Sequence, residues 1–340
     1  MIRHAITKLV ERQDLAAAEA EAALAQIMRG EGSDAQIGAL LIALRMKGET
    51  TEEIAGFARA MRQSCTPVRT SRPDVVDTCG TGGDLLDTFN ISTAAAFIAA
   101  GAGVPIAKHG NRAVSSRCGS ADVLKELGVS LDLSPEAVGR CIDEVGIGFL
   151  FAPAFHPAMK YAIGPRREIG VRTVFNCLGP MTNPAGAQRQ LIGVYAPELT
   201  DLVARALHDL GAVHAMVVHG MDGLDEISTL GETRVAELRD GQVRASTLHP
   251  SDFALPTAQP SDIAGADVAD SAQMLVALLE GEAGPRRDIA LLNAGAAILV
   301  GGLAEDLAEG TDRAAAAVDS GAAREKLDAL VRFCRAVPSA

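Results

Sequence analysis

Residues 75–128, VVDTCGTGGDLLDTFNISTAAAFIAAGAGVPIAKHGNRAVSSRCGSADVLKELG, constrain this chain more than any other stretch. An apolar strand start at Val75 and Val76 runs into a glycine turn, Gly80, Gly82 and Gly83, closed by Asp84. A hydroxyl-rich helix start follows at Asn90, Ile91, Ser92 and Thr93. After a second short strand comes a loop carrying Lys108, His109, Asn111, Arg112, Ser115, Ser116 and Arg117, and then a helix opening near Ser120. These are two strand–loop–helix units in succession. Each offers backbone N–H groups and hydroxyls at a helix N-terminus, where unpaired donors and the macrodipole bind anions. The nearby cations Lys108, Arg112 and Arg117 point to a ligand with more than one phosphate.

The surrounding pattern indicates what carries these units. Candidate strands at 75–77, 104–107, 147–151, 191–195 and 214–218 alternate with candidate helices at 92–100, 120–127, 135–145 and 199–210. Such alternation predicts a largely parallel sheet covered by helices. Residues 234–248 read as a hairpin around Asp240-Gly241. Before the sheet, residues 1–64 read as helices: Ile2, Ala5, Ile6 and Leu9 share one face, as do Ile37, Leu40, Leu41 and Leu44, and Ile54, Phe57, Ala58 and Met61. Ser33 with Gln36 and Thr50 with Glu53 form capping-box patterns, and Gly30 and Gly48 follow helix ends. A Pro- and Arg-containing connector at 65–73 marks a boundary. Residues 153–187 break the rhythm with Pro, Gly and charge, which predicts an excursion from the sheet, and beyond Ser271 the chain is helical again. At 340 residues two domains are expected: α/β with a separate small all-α domain, its central, mostly parallel sheet covered by helices.

An anionic ligand must be met by local charge, because the chain as a whole carries a net charge of −12. That balance opposes nonspecific binding to nucleic acid or an anionic membrane. Aromatics make up only 3% and Trp is absent, which argues against base-stacking platforms. The six cysteines are scattered without C-x-x-C spacing, so free thiols in a reducing compartment are expected and a zinc site is not. The first residues lack a secretion signal's continuous apolar segment. The longest apolar runs, near 91–107 and 289–304, are interrupted by glycine and fall short of the roughly 20 residues of a membrane span. A cytoplasmic protein is expected.

Gly80-Thr-Gly-Gly-Asp84 is not a Walker A loop, since no Gly-Lys-Ser/Thr follows, and it lacks the third glycine of a dinucleotide fingerprint. Alone it is as readily a structural turn; its weight comes from the coupled helix start, where Ser92 and Thr93 offer hydroxyls to phosphate or metal, or simply cap the helix. The Lys108–Arg117 segment is more specific, because Gly110, an Asn and two serines interleaved with cations suit wrapping of a pyrophosphate. His109 is given no proton-transfer role. Asp225 and Glu226, in the loop after the strand ending near His219, are either a solvated acidic turn or, beside a phosphate ligand, ligands of Mg²⁺, which takes few protein oxygens. Arg166, near Lys160, Arg167 and Arg172, is a candidate carboxylate clamp.

With these motifs in order the chain closely resembles the anthranilate phosphoribosyltransferase family. The match comprises GTGGD (80–84), TFNIST (88–93), KHGNRAVSS (108–116), GSADVL (119–124), HPAM (156–159), RTVFN-x-LGPMTNPA (172–185) and GLDEIS (223–228). The resemblance implies the fold shared by nucleoside phosphorylases and these phosphoribosyltransferases. A helical domain, 1–70, would be completed by helices within 157–190 and sit on an α/β domain, 71–340, with a homodimer formed through the helical part. It implies transfer of the phosphoribosyl group of phosphoribosyl pyrophosphate (PRPP) to anthranilate. PRPP would be surrounded by Gly80, Gly83, Asp84, Thr88, Asn90, Ile91, Ser92 and Thr93, and by Lys108, His109, Gly110, Asn111, Arg112, Ala113, Val114, Ser115, Ser116 and Ser120. Anthranilate would meet Gly80, Asn111 and Arg166. Mg²⁺, as two ions per subunit, would be held by Ser92, Asp225 and Glu226, and no residue is implied as a general acid or base. Cys118, where many relatives carry Ser, and Gly164-Pro165 before Arg166 depart from the commonest pattern. The competing readings are a pyrimidine nucleoside phosphorylase and a non-catalytic, nucleic-acid-binding relative of the same fold.

Overall fold

A computed structural model describes residues 1–83, 86–113, 118–265 and 267–337. The chain opens with four helices, α1 (Ile2–Val10), α2 (Ala17–Met28), α3 (Asp34–Lys47) and α4 (Thr51–Ser64). Both capping boxes form: Ser33 Oγ accepts from the Gln36 N–H at 3.3 Å, and Thr50 Oγ1 from the Glu53 N–H at 3.3 Å. Glu53 is fully buried and also accepts from the Leu15 N–H and the Lys47 ammonium, at 2.9 and 3.0 Å. Its cap thereby ties α4 to two other parts of the bundle.

Seven strands follow: β1 (Val76–Gly80), β2 (Ile106–Gly110), β3 (Ile147–Phe151), β4 (Arg189–Gly193), β5 (His214–Gly220), β6 (Thr233–Arg239) and β7 (Gln242–Leu248). They form one sheet in the order β3-β2-β1-β4-β5-β6-β7. The first five strands in that order are parallel, whereas β6 and β7 are antiparallel. The β6–β7 hairpin turns at Asp240 and Gly241, both left-handed at φ 52° and 71°, as a two-residue turn matching strand twist requires.

Helices α5 (Ile91–Gly101) and α6 (Ser120–Glu126) follow β1 and β2, and α7 (Pro135–Val145), capped by Ser134, leads into β3. The excursion holds α8 (Ala152–Phe155), α9 (Lys160–Ile169) and α10 (Phe175–Leu178); α11 (Leu199–Asp209) then joins β4 to β5. Four helices close the chain: α12 (Val268–Leu279), α13 (Pro285–Val300), α14 (Leu307–Asp319) and α15 (Ala322–Ala336). Helices α5, α13, α14 and α15 build a core on one side of the sheet. A second core joins α11 to the N-terminal bundle and takes in Ala162, Val174, Phe175, Leu178 and Met181 of the excursion. Arg62 of α4 stitches the bundle to the sheet domain by donating to the Met181 and Leu210 carbonyls at 2.8 and 3.2 Å. No described helix is long and apolar enough to cross a membrane.

The chain leaves β1 toward β2 on one side and arrives at β4 on the other. That reversal of strand order opens a crevice at the C-terminal strand ends, the usual ligand position in an open α/β sheet.

Candidate active site

The sequence places Lys108, His109 and Gly110 on a loop, but they form the end of β2, in register with Phe149, Leu150 and Phe151 of β3. Part of the polarity of this buried strand is met by internal partners. The His109 backbone N–H donates to Asp77 Oδ1 at 3.0 Å, while Asn183 Nδ2 bonds Asp77 Oδ2 and the Ala107 carbonyl at 2.8 and 2.7 Å. Lys108 Nζ donates to the Thr78 carbonyl at 2.5 Å and lies 3.4 Å from Ser92 Oγ. Burial pushes the Lys108 pKa down and that of Asp77 up, while each opposes the shift of the other. Burial, with His156 beside it at 5.2 Å between ring centroids, lowers His109 to about 3; burial also lowers His156 to about 4. Both imidazoles are therefore neutral near pH 7.

Asn90 precedes α5, yet its side chain does not cap that helix. Asn90 Nδ2 instead donates to the Cys118 carbonyl at 3.3 Å. Among the described residues, Asn90 Oδ1, Thr93 Oγ1 and His109 Nε2 are buried without a hydrogen-bond partner. Such atoms are rare in native interiors, and these sit on Asn90 and Thr93 at the start of α5 and on His109 at the end of β2. The segment entering α5 is fixed from outside: Thr88 bridges Ala264, and the Phe89 N–H donates to the Ile263 carbonyl at 3.1 Å. Beyond β2, the Asn111 carbonyl accepts from the Ala121 N–H and from Ser120 Oγ at 3.1 and 3.3 Å. Asp122 Oδ2 accepts the Ala113 and Gly119 N–H groups, each at 3.1 Å. Asp84, Val114, Ser115, Ser116 and Arg117 lie outside the described residues.

The acidic loop after β5 arrives on the opposite side of the crevice. Asp225 Oδ2 accepts the Gly82 N–H at 2.7 Å, although the two residues are 143 apart in sequence. A Cβ on Gly80 would stand 2.2 Å from that oxygen, and one on Gly193 only 1.5 Å from the Asp225 carbonyl oxygen. Glycine at 193 thus lets the loop backbone reach the strand end, whereas at Gly80 a side chain would displace the Asp225 carboxylate itself. Burial raises the Asp225 pKa against the opposing Gly82 hydrogen bond. Glu226 is close enough to Lys108 to favour its charged form. Asp222 serves as a brace, accepting from the Leu224 N–H at 3.1 Å and from Ser228 Oγ at 2.5 Å.

The oxygens of Ser92, Asp225 and Glu226 are hard donors of the kind Mg²⁺ takes. Among the described residues no group of three or more His, Cys, Asp or Glu side chains forms a closed metal cage. Arg166, on α9, lies over the Phe175 ring at 5.0 Å, and burial lowers its pKa. Among the described residues no salt bridge joins it to a carboxylate. Arg172 donates to the Gly83 carbonyl at 2.5 Å and stacks over Tyr195 at 4.5 Å.

Residues 72–324 match the family described as glycosyl transferase family, a/b domain, and residues 3–65 match the corresponding helical bundle domain. A Moorella thermoacetica protein named anthranilate phosphoribosyltransferase is 56% identical over 333 residues, 98% of each chain. The crystal structure of anthranilate phosphoribosyltransferase from Thermus thermophilus aligns with a TM-score of 0.93 at 45% identity, covering 97% of this chain and 99% of that one. The chain belongs to the anthranilate phosphoribosyltransferase family. A Saccharomyces cerevisiae anthranilate phosphoribosyltransferase, in complex with PRPP and Mg, aligns at TM-score 0.89 and 28% identity over 99% of this chain and 98% of that one. The same yeast protein in complex with 4-fluoroanthranilate aligns at TM-score 0.88 and 27% identity, with the same coverage.

In this member of the anthranilate phosphoribosyltransferase family, several residues that shape the crevice escape the sequence reading. Gly193 interrupts an apolar strand, a pattern that can mark close backbone approach. Asn183 and Asn293 act through partners 106 and 66 residues away, which no local pattern reveals.

Proposed function

We propose that this chain transfers the phosphoribosyl group of PRPP to the amine of anthranilate, giving N-(5-phosphoribosyl)anthranilate and pyrophosphate in tryptophan biosynthesis. The observation that carries this reading is the 2.7 Å bond from Gly82 to Asp225, which joins the glycine turn to the carboxylate loop across one crevice. The Gly80–Gly83 turn, Asp84, Thr88, the α5 start at Asn90–Thr93 and the Lys108–Ser116 segment with Ser120 bind PRPP through backbone N–H groups, hydroxyls and positive charge. Arg166 takes the carboxylate of anthranilate, and Asn111 and Gly80 border its ring and amine.

Ser92, Asp225 and Glu226 would hold Mg²⁺, as two ions per subunit. When bound, Mg²⁺ neutralises charge on pyrophosphate oxygens. Lys108, held by the Thr78 carbonyl, contributes positive charge to the same wall. As the C1–pyrophosphate bond breaks, the amine forms the C1–N bond and its surplus proton passes to solvent. Holding that amine in line with C1 is the principal task of the clamp residues. No residue is assigned as a general acid or base, because an arylamine is neutral and nucleophilic near pH 7.

The functional units are the helical domain 1–70, with helices from 157–190, and the α/β domain 71–340. The working form is a cytoplasmic homodimer joined through the helical part. Support comes from Met46, Ile163 and Val171, which are 70%, 48% and 55% exposed on or beside the packed helices α3 and α9.

Anthranilate fluorescence tests the reaction. With PRPP and Mg²⁺ the signal should decay as pyrophosphate appears. A steady signal, with phosphorolysis of thymidine or uridine instead, would establish the nucleoside phosphorylase reading. Tight DNA binding at physiological salt without turnover would establish the nucleic-acid-binding one.

A further inference from the structure

Helix α13 is buried from Ile289 to Val300, and within that run Asn293 is the one side chain carrying an amide. Asn293 is 0% exposed. An apolar residue there would favour the helix and need no partner, so an asparagine demands a reason. Its hydrogen bonds supply one. Asn293 Oδ1 accepts the Ile227 N–H at 2.9 Å, and Asn293 Nδ2 donates to the Ile227 carbonyl at 2.9 Å. The second amide hydrogen goes to the Ile289 carbonyl of its own helix, also at 2.9 Å. The side chain therefore pairs with both backbone groups of a single residue, and that residue directly follows Asp225 and Glu226.

From the other side, the Asp225 backbone is seated on Gly193, where even a methyl group would clash. The carboxylate loop is thus held between the strand ends and α13. Two adjacent buried carboxylates repel each other and would swing apart unless their backbone is fixed. We infer that Asn293 is a positioning residue for metal binding: by clamping Ile227 it sets the Asp225 and Glu226 carboxylates at the spacing a divalent cation requires. This inference rests on the reading of Asp225 and Glu226 as metal ligands.

Mn²⁺ is the probe, its free ion followed by electron paramagnetic resonance in titrations of the full chain with PRPP present and anthranilate absent. Asn293→Leu should raise the half-saturating Mn²⁺ concentration about 10–100-fold, the usual cost of losing a residue that orients a metal ligand. The anthranilate KM, measured at saturating metal, should stay within about two-fold of wild type. If Asn293→Leu does not fold, Asn293→Asp replaces it. The Asp substitution keeps the size and loses the donors, and the same shift in Mn²⁺ affinity is expected. A lower Tm with unchanged Mn²⁺ affinity would overturn the inference and leave Asn293 a packing residue. Asp225→Ala serves as the control: unchanged Mn²⁺ affinity in that variant would defeat the underlying metal assignment, whereas a loss there and none in the Asn293 variants would defeat the positioning role alone.

Discussion

The two walls of the crevice are held in opposite ways. Among the described residues, the wall made by β1, β2 and the start of α5 keeps buried polar atoms without partners, at Asn90 Oδ1, Thr93 Oγ1 and His109 Nε2, and a buried lysine, Lys108. The wall made by the loop after β5 is braced at several residues, although Thr229 Oγ1 is buried there without a partner among the described residues: Asp222 ties Ser228 and Leu224, Thr233 Oγ1 accepts the Ser228 N–H at 2.9 Å, and Asn293 pairs with Ile227. A wall that presents positive charge and helix-start dipoles is under no repulsion of its own. A wall that presents carboxylates works against its own repulsion, so the fold must fix it beforehand.

Breaking the braced wall should have the largest effect. Replacing Asp225 and Glu226 together by Ala is expected to lower Mg²⁺-dependent turnover by more than about 10³-fold, with circular dichroism unchanged. Turnover within a few-fold of wild type would remove that wall from the site. Gly193→Ala acts on the same loop without touching a carboxylate. Displacement of Asp225 by the added methyl should cost about 10²-fold in kcat, which steady-state kinetics would show.

Arg166→Ala should raise the anthranilate KM about 10–100-fold, the range for losing a hydrogen bond to a charged group, and leave the PRPP KM nearly unchanged. Equal effects on both constants would make Arg166 a support of the fold. Arg172→Ala, which frees the Gly83 carbonyl, should raise the PRPP KM only about three- to ten-fold, as expected for one hydrogen bond and one cation–π contact.

The smallest effect belongs to the buried pair His109 and His156. With pKa values of about 3 and about 4, His109 and His156 stay neutral in the folded chain while the unfolded chain protonates near 6.5. Protons then bind first to the unfolded state, so their contribution to stability is complete above about pH 7 and is lost as the pH falls through 6.5 toward 4. Asp77 and Asp225, raised by burial, act in the opposite sense, but they are common to wild type and a His156→Asn variant. The urea midpoint of wild type relative to that variant should fall between pH 7 and pH 5. A constant difference would contradict the buried neutral assignment.

Much of the scaffold was legible locally. The helix faces around Leu9, Leu40 and Phe57, the capping boxes at Ser33 and Thr50, and the Asp240-Gly241 turn follow from short-range rules, and each appears in the structure. The strand ends were not legible. Lys108 and His109 look like loop residues because burying them alone would be prohibitive. Their partners Thr78 and Asp77, and Asn183 bonded to Asp77, become apparent only when β1, β2 and the 180–185 segment come together. Gly193 and Asn293 were hidden for the same reason, each an ordinary member of an apolar run until the carboxylate loop is laid against it.

The central claim is that both walls close on one ligand. A crystal structure with PRPP and Mn²⁺, collected at the manganese edge, tests it most directly. Anomalous density is expected beside the Asp225 and Glu226 carboxylates, with the pyrophosphate between that metal and the N-terminus of α5. Metal bound away from the two carboxylates, or a pyrophosphate remote from α5, would contradict the account.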